Sequence, residues 1–155
     1  MMAHQAGTPT PTGSVKAQGA GLMVIRITVG IYLFFMGAGK VGWLLDSSPL
    51  ANQLSIWSAQ ATPLSRWYLD RIMPGTPVFA RLVPLGEMLG GLALVAGFWT
   101  RLVAAAMFLM ILNFQVAAGA IFNPTFLINA NGLPLLGSLL GLVLGGARLP
   151  LSFKR

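Results

Sequence analysis

The chain has 155 residues, 55% of them hydrophobic and only 8% charged, where an ordinary soluble domain is roughly a quarter charged. With a mean hydropathy of +0.76, this composition excludes a disordered protein, argues against a soluble enzyme, and makes lipid the main solvent of one small polytopic domain. The absence of cysteine excludes disulfides, thiolate nucleophiles, iron–sulfur ligation and c-type haem attachment. The net charge of +7 forms no basic cluster interleaved with aromatics, which excludes a nucleic-acid reader.

Residues 1–21 hold Thr8-Pro9-Thr10-Pro11-Thr12-Gly13-Ser14 and few large apolar side chains, too little to offset the entropy of ordering them, so a flexible N-terminal tail is expected. The apolar stretch that follows competes with a secretory signal peptide, with Met36-Gly37-Ala38-Gly39 near a cleavage site. Its length and the Arg26 within it favour a retained span. Hydrophobic segments at about 22–45, 77–99, 101–122 and 133–149 predict four transmembrane helices, each close to the roughly 17–25 residues that cross a ~30 Å core. The expected fold class is therefore all-α, a four-transmembrane-helix bundle over residues 22–155. Phe98-Trp99-Thr100 is so short a connection that the second and third spans must form an antiparallel hairpin. Asn123-Pro124-Thr125 and Asn129-Ala130-Asn131-Gly132 supply the turns that separate the third span from the fourth, which Pro134 opens.

The loop at 46–76 carries Ser48-Pro49, a helix start, and then Leu50, Leu54, Trp57, Ala61, Leu64, Tyr68 and Ile72 at intervals of three and four. It is expected to form short interfacial helices broken near Pro63, with Trp57, Trp67 and Tyr68 in the aromatic belt and a surface cap favoured over a gating lid. Lys16, Arg26, Arg101, Arg148, Lys154 and Arg155 fall on one side of the membrane. Lys40, Arg66, Arg71 and Arg81, partly offset by Asp46 and Asp70, fall on the other. The bias predicts both termini on the cytoplasmic side of a bacterial-type inner membrane.

Ionisable groups inside spans cost several kcal/mol unless paired or hydrated. In the first span, Arg26, Gly30, Leu33, Gly37 and Lys40 are spaced 4, 3, 4 and 3 and share one stripe. The second carries Glu87, Gly90, Gly91, Leu94, Gly97 and Arg101 in a second stripe. Packing stripe on stripe, antiparallel, predicts Lys40 (or Arg81) beside Glu87 near the outer leaflet, with Arg26 and Arg101 at the inner boundary. A register-fixing ion pair and a proton relay or ligand anchor are equally good readings of Glu87. Asn113 and Gln115 are expected mainly as interhelical hydrogen-bond donors and acceptors, and the small-xxx-small runs Gly86–Gly90 and Gly137–Gly141–Gly145 as sites of close packing. His4 is the only histidine, so no metal site is predicted.

Arg26-Ile27-Thr28-Val29-Gly30-Ile31, Gly37-Ala38-Gly39-Lys40, Glu87-Met88-Leu89-Gly90-Gly91-Leu92-Ala93-Leu94 and Gly97-Phe98-Trp99-Thr100-Arg101 resemble the DoxX family of four-helix membrane proteins, over about residues 22–122. The resemblance implies an inner-membrane protein often linked to redox chemistry; the family includes a small subunit of a thiosulfate:quinone oxidoreductase. Two functions follow. The first is a non-catalytic accessory subunit of a larger respiratory or photosynthetic redox complex, with other membrane subunits and the bilayer as partners. The alternative is a quinone-interacting oxidoreductase subunit in which Glu87 and Lys40 exchange protons and Arg26, Arg81, Arg101 and Asn113 contact quinone or lipid.

Overall fold

The structure, a computed structural model, describes residues 12–146 and Leu149. Residues 1–11 of the expected tail, with His4, lie outside the described residues, as do Arg148, Lys154, Arg155 and the Lys16 side chain of the charge argument. Among the described residues the chain is helical and has no strand.

The first helix, α1, runs Thr12–Ala38. It starts about ten residues before the predicted span, directly after the last proline of the Thr-Pro run, because Ser14 to Ala20 contains nothing that forbids helix. It ends at Gly37-Ala38-Gly39, short of the predicted residue 45, and a 3-10 turn at Val41–Leu44 follows. The interfacial helices are α2, Ser48–Gln60, and α3, Pro63–Ile72, interrupted at Ala61-Thr62 just before Pro63. The Ser47 side chain does not cap α2. Instead the Ser48 backbone N–H donates to Asp46 Oδ1 at 2.8 Å. Thr62 caps α3, its hydroxyl oxygen accepting from the Ser65 N–H at 3.3 Å, and the buried Ser65 hydroxyl donates to the Val116 carbonyl at 3.3 Å. Removing the cap with Thr62→Ala is expected to cost about 1 kcal/mol of stability, read as a lowered melting temperature in detergent.

The two remaining long helices are α4, Thr76–Ala96, and α5, Thr100–Ala117. They form the predicted hairpin through Gly97 at φ 73° and Trp99 at φ 43°, the left-handed conformation that reverses the chain within three residues. Three helical stretches, Ala17–Ala38, Pro63–Ala96 and Thr100–Ala117, are long and apolar enough to cross a membrane. The last helix, α6, is Leu133–Gly145. Its 13 residues measure about 20 Å, short of a ~30 Å hydrocarbon core. Among the described residues the structure thus shows three helices of spanning length and a fourth, shorter apolar helix packed with them.

The shortening has a visible cause. The Asn129–Gly132 turn folds back against the bundle: Gln115 Nε2 of α5 donates to the Asn131 carbonyl at 2.9 Å, and the Tyr32 hydroxyl of α1 donates to Asn131 Oδ1. Non-helical backbone at that depth is tolerated because it is held by protein hydrogen bonds. Exposed hydroxyls within helices are likewise satisfied locally, Thr28 on the Val24 carbonyl and Ser138 on that of Pro134.

Helices α1, α4, α5 and α6 share one core, built from Leu33, Leu94, Ala104, Met107, Ile111 and Leu139 among others. A second core lies under α2 and α3, where Leu50, Leu54 and Leu69 close on Ala80 and Ala117. Between α1 and α4 the backbones nearly touch. A Cβ at Gly91 would sit 2.5 Å from the Gly30 carbonyl oxygen, and one at Gly37 2.7 Å from the Pro84 carbonyl oxygen. This glycine contact sets the register of the two helices.

Candidate functional site

Gly30 and Gly37 seat on Gly91 and Pro84, so α1 and α4 run antiparallel, and this register puts the residue one turn beyond Gly37 level with Arg81, from where its long side chain leans back to Glu87. That residue is Lys40, in the turn that ends α1. Its ammonium donates to both carboxylate oxygens of Glu87, at 2.5 and 2.7 Å. Glu87 is 0% exposed and the Lys40 side chain 24%, so the anion is sealed in the helix interface while the cation reaches outward. The Lys40 Nζ also lies 5.7 Å from the Trp43 ring centroid and 5.9 Å from that of Phe114, within cation–π range. Pro84, one turn before Glu87, has no N–H to give the Ala80 carbonyl, so α4 is weakened beside the pair.

The pair borders a 370 Å³ cavity. Its walls come from every surrounding element: Met36 and Lys40 of α1, Trp43, Gln53 and Trp57 from the loop side, Phe114 and Gln115 of α5, and Asn129 and Asn131 of the turn before α6. An ammonium, a carboxylate and several amides thus meet aromatic rings in one partly open cavity. A second, mainly apolar cavity of 340 Å³ shares Leu50, Trp57 and Phe114 with the first. It is lined further by Leu82 and Val83 of α4 and by Leu109 and Met110 of α5.

The structure brings together some of the sequence candidates and separates others. Glu87 and Lys40 meet as the stripes predict. Arg81 does not reach Glu87; it is exposed and its Nη1 donates to the Pro77 carbonyl at 2.6 Å. Arg101 belongs to α5, beyond the hairpin turn, so it cannot continue the α4 stripe, and its Nε donates to the Val143 carbonyl of α6 at 2.7 Å. Arg26 is 1% exposed, on α1 well before Gly30, and is not part of either cavity wall. Asn113 lines the second cavity rather than the first, with its Oδ1 accepting from the Tyr68 hydroxyl. Gly90 turns to Met107 of α5 instead of α1, and the Cβ positions of Gly137 and Gly141 meet nothing within 4 Å, so of this run only Gly145, whose Cβ would sit 2.6 Å from Leu22 of α1, packs closely inside the chain.

Sequence reasoning missed Gln53, Trp43 and Asn131 as site residues. Gln53 lies on the face of α2 that carries Leu50, Leu54 and Trp57, and its spacing from them was the available signal. The same face brings Trp57 into both cavity linings, half-buried, whereas Trp67 is exposed with Arg71 5.4 Å from its ring. The α2–α3 segment is therefore a wall of the site as well as a surface cap. At its start, the Ser48 hydroxyl and N–H hold the exposed Asp46 carboxyl below the usual carboxylate range. A lowered folded-state value means this contribution is present above the ordinary aspartate range and is lost as pH falls through the lowered value. Circular dichroism should show α2 losing helicity in the wild type as pH falls from 5 to about 2, whereas Asp46→Ala, which lacks the carboxylate, should start with a more frayed α2 and lack this pH-dependent loss.

A family model, DoxX, matches residues 21–124, a stretch that runs from α1 through α5 and includes Lys40, Glu87 and the whole α1–α4 contact. No curated protein and no solved structure matches the chain.

Proposed function

The chain belongs to the DoxX family of membrane proteins, and from that premise we propose that it serves a larger redox complex of the bacterial inner membrane as the subunit that holds a quinone. The carrying observation is the Lys40–Glu87 pair on the wall of a cavity that combines one cation with aromatic ring faces.

The donor set suits such a ring. Lys40 has three N–H bonds, and Glu87 takes two contacts at 2.5 and 2.7 Å; the third is available to a ring oxygen. Trp43, Trp57 and Phe114 offer flat faces, and the Gln53 amide offers a further donor. A bound quinone supplies two-electron, two-proton chemistry. The protein's own contribution is electrostatic and positional. Lys40 Nζ orients the ring by one hydrogen bond and stabilises negative charge where reduction places it, while Glu87 fixes the ammonium and keeps its burial from costing a bare charge. Electrons come from the partner complex, since thiol chemistry is closed to a chain without cysteine. In this reading both termini face the cytoplasm, and Lys40 and Glu87 lie toward the opposite face.

A second reading, a purely scaffolding subunit, is favoured by one observation: both Glu87 oxygens are already engaged by Lys40, as a register lock requires. A titration separates the two. Trp43 and Trp57 line the cavity, so a quinone without a side chain should quench tryptophan fluorescence saturably in the wild type and not in Lys40→Met/Glu87→Met. Equal, unsaturating quenching in both proteins would leave only the scaffold.

A further inference from the structure

The second cavity calls for an occupant that the polar cavity does not explain. Its lining is almost wholly hydrocarbon, with Leu54, Val83 and Met110 deep and Phe79, Leu82 and Leu109 toward the surface. Phe79 is 40% exposed, Leu82 58% and Leu109 63%. These three lie on exposed sides of α4 and α5, two helices that belong to stretches long and apolar enough to cross a membrane, so the cavity opens sideways between them, under α2 and α3. Leu50, Trp57 and Phe114 line both this cavity and the polar one, so the two lie back to back across these three side chains.

The polar group here does not contradict an apolar occupant. The Tyr68 hydroxyl donates to Asn113 Oδ1, so hydroxyl and amide oxygen engage each other on this wall, and most of the remaining lining is hydrocarbon. A bilayer removes any hydrophobic gain from merely hiding these side chains. An open cavity among them would instead leave their atoms without packing partners, and a flexible chain entering from the bilayer supplies those partners.

We propose that this second cavity is the binding channel for the hydrocarbon tail of the ligand whose ring sits at Lys40 and Glu87, the tail passing Trp57 and Phe114 and leaving to the bilayer between Leu82 and Leu109. The ligand is then an amphipath, a carbonyl-bearing ring on a long isoprenoid chain, and it enters sideways from the membrane rather than from water. This inference rests on the quinone reading of the first cavity. It adds a specificity: a ring without a tail binds, but weakly.

The test compares two probes on full-length protein in nanodiscs, a quinone without a side chain and the same ring with a long isoprenoid tail. Bound quinone is measured after gel filtration. The wild type should retain the tailed probe at least about tenfold better. Leu109→Trp and Leu82→Trp, each filling the channel from an exposed lip, should cut retention of the tailed probe by about tenfold and leave the tail-less probe unchanged. That unchanged binding also certifies the fold of each variant. Equal retention of the tailed probe by wild type and both variants overturns the channel while leaving the ring site standing. So does a phospholipid acyl chain found in the channel with the quinone bound. Failure of the wild type to bind either probe overturns the ring site, and the channel with it.

Discussion

Lys40→Met alone is expected to destabilise the folded protein by about 3–5 kcal/mol, the cost of leaving a buried charge without its partner. Glu87 is 0% exposed, so the carboxylate left behind loses the ammonium that engages both its oxygens in a site where an uncompensated charge is costly. Glu87→Met should cost less. The Lys40 side chain is 24% exposed and keeps its contacts with the Trp43 and Phe114 rings, so the stranded cation has somewhere to go. The double variant Lys40→Met/Glu87→Met should recover most of the loss, because replacing a buried pair with apolar side chains of similar volume is often neutral or stabilising. Unfolding in mixed micelles reads all three. A double variant no more stable than Lys40→Met would mean that the pair is not the origin of the loss.

The second large effect belongs to Gly91. A Cβ there would lie 2.5 Å from the Gly30 carbonyl oxygen and 2.6 Å from the Phe34 nitrogen, and backbone atoms cannot rotate aside. Gly91→Ala must therefore widen the α1–α4 spacing, at a cost of about 1–3 kcal/mol that outweighs the ~1 kcal/mol gained in helix propensity. The same widening draws Lys40 away from Glu87, so ring binding should fall with stability. Gly90→Ala is the contrast within α4: its Cβ would meet the Met107 side chain, a flexible group that can move. Gly137→Ala and Gly141→Ala, where the Cβ meets nothing within 4 Å, should cost nothing. If Gly91→Ala and Gly137→Ala melted alike, close backbone approach would not be what holds α1 to α4.

Much of this arrangement is legible in the sequence because helical periodicity and antiparallel packing are local rules. The spacing from Gly30 through Gly37 to Lys40, set against that from Glu87 to Gly91, puts Lys40 and Glu87 on facing stripes, and the reach of the lysine side chain back along α4 closes the pair. The rules fail where a residue's neighbour depends on something other than its own helix. Gly90 and Gly91 are adjacent in sequence yet face different helices, and only the position of α5 decides which. Arg101 looks like the end of the α4 stripe because periodicity does not register a reversal made by Gly97 and Trp99. The return of Asn131 into the bundle, held by Tyr32 and Gln115, depends on side chains 99 and 16 positions away. That turn both shortens α6 and completes the polar cavity. Trp57 resembles a belt residue by composition, and only the closure of α2 over α5 makes it a wall between two cavities.

The most direct measurement is mild-detergent purification of the protein from its native membrane, with mass spectrometry of the co-purifying proteins and of the extracted quinones, for the wild type and for Lys40→Met/Glu87→Met. The account predicts a quinone with a long isoprenoid tail, near one per chain, in the wild type and its loss from the stable double variant, with a larger redox complex recovered alongside both. A wild-type preparation without quinone, or a double variant that retains it in full, would contradict the assignment of the ring site to Lys40 and Glu87.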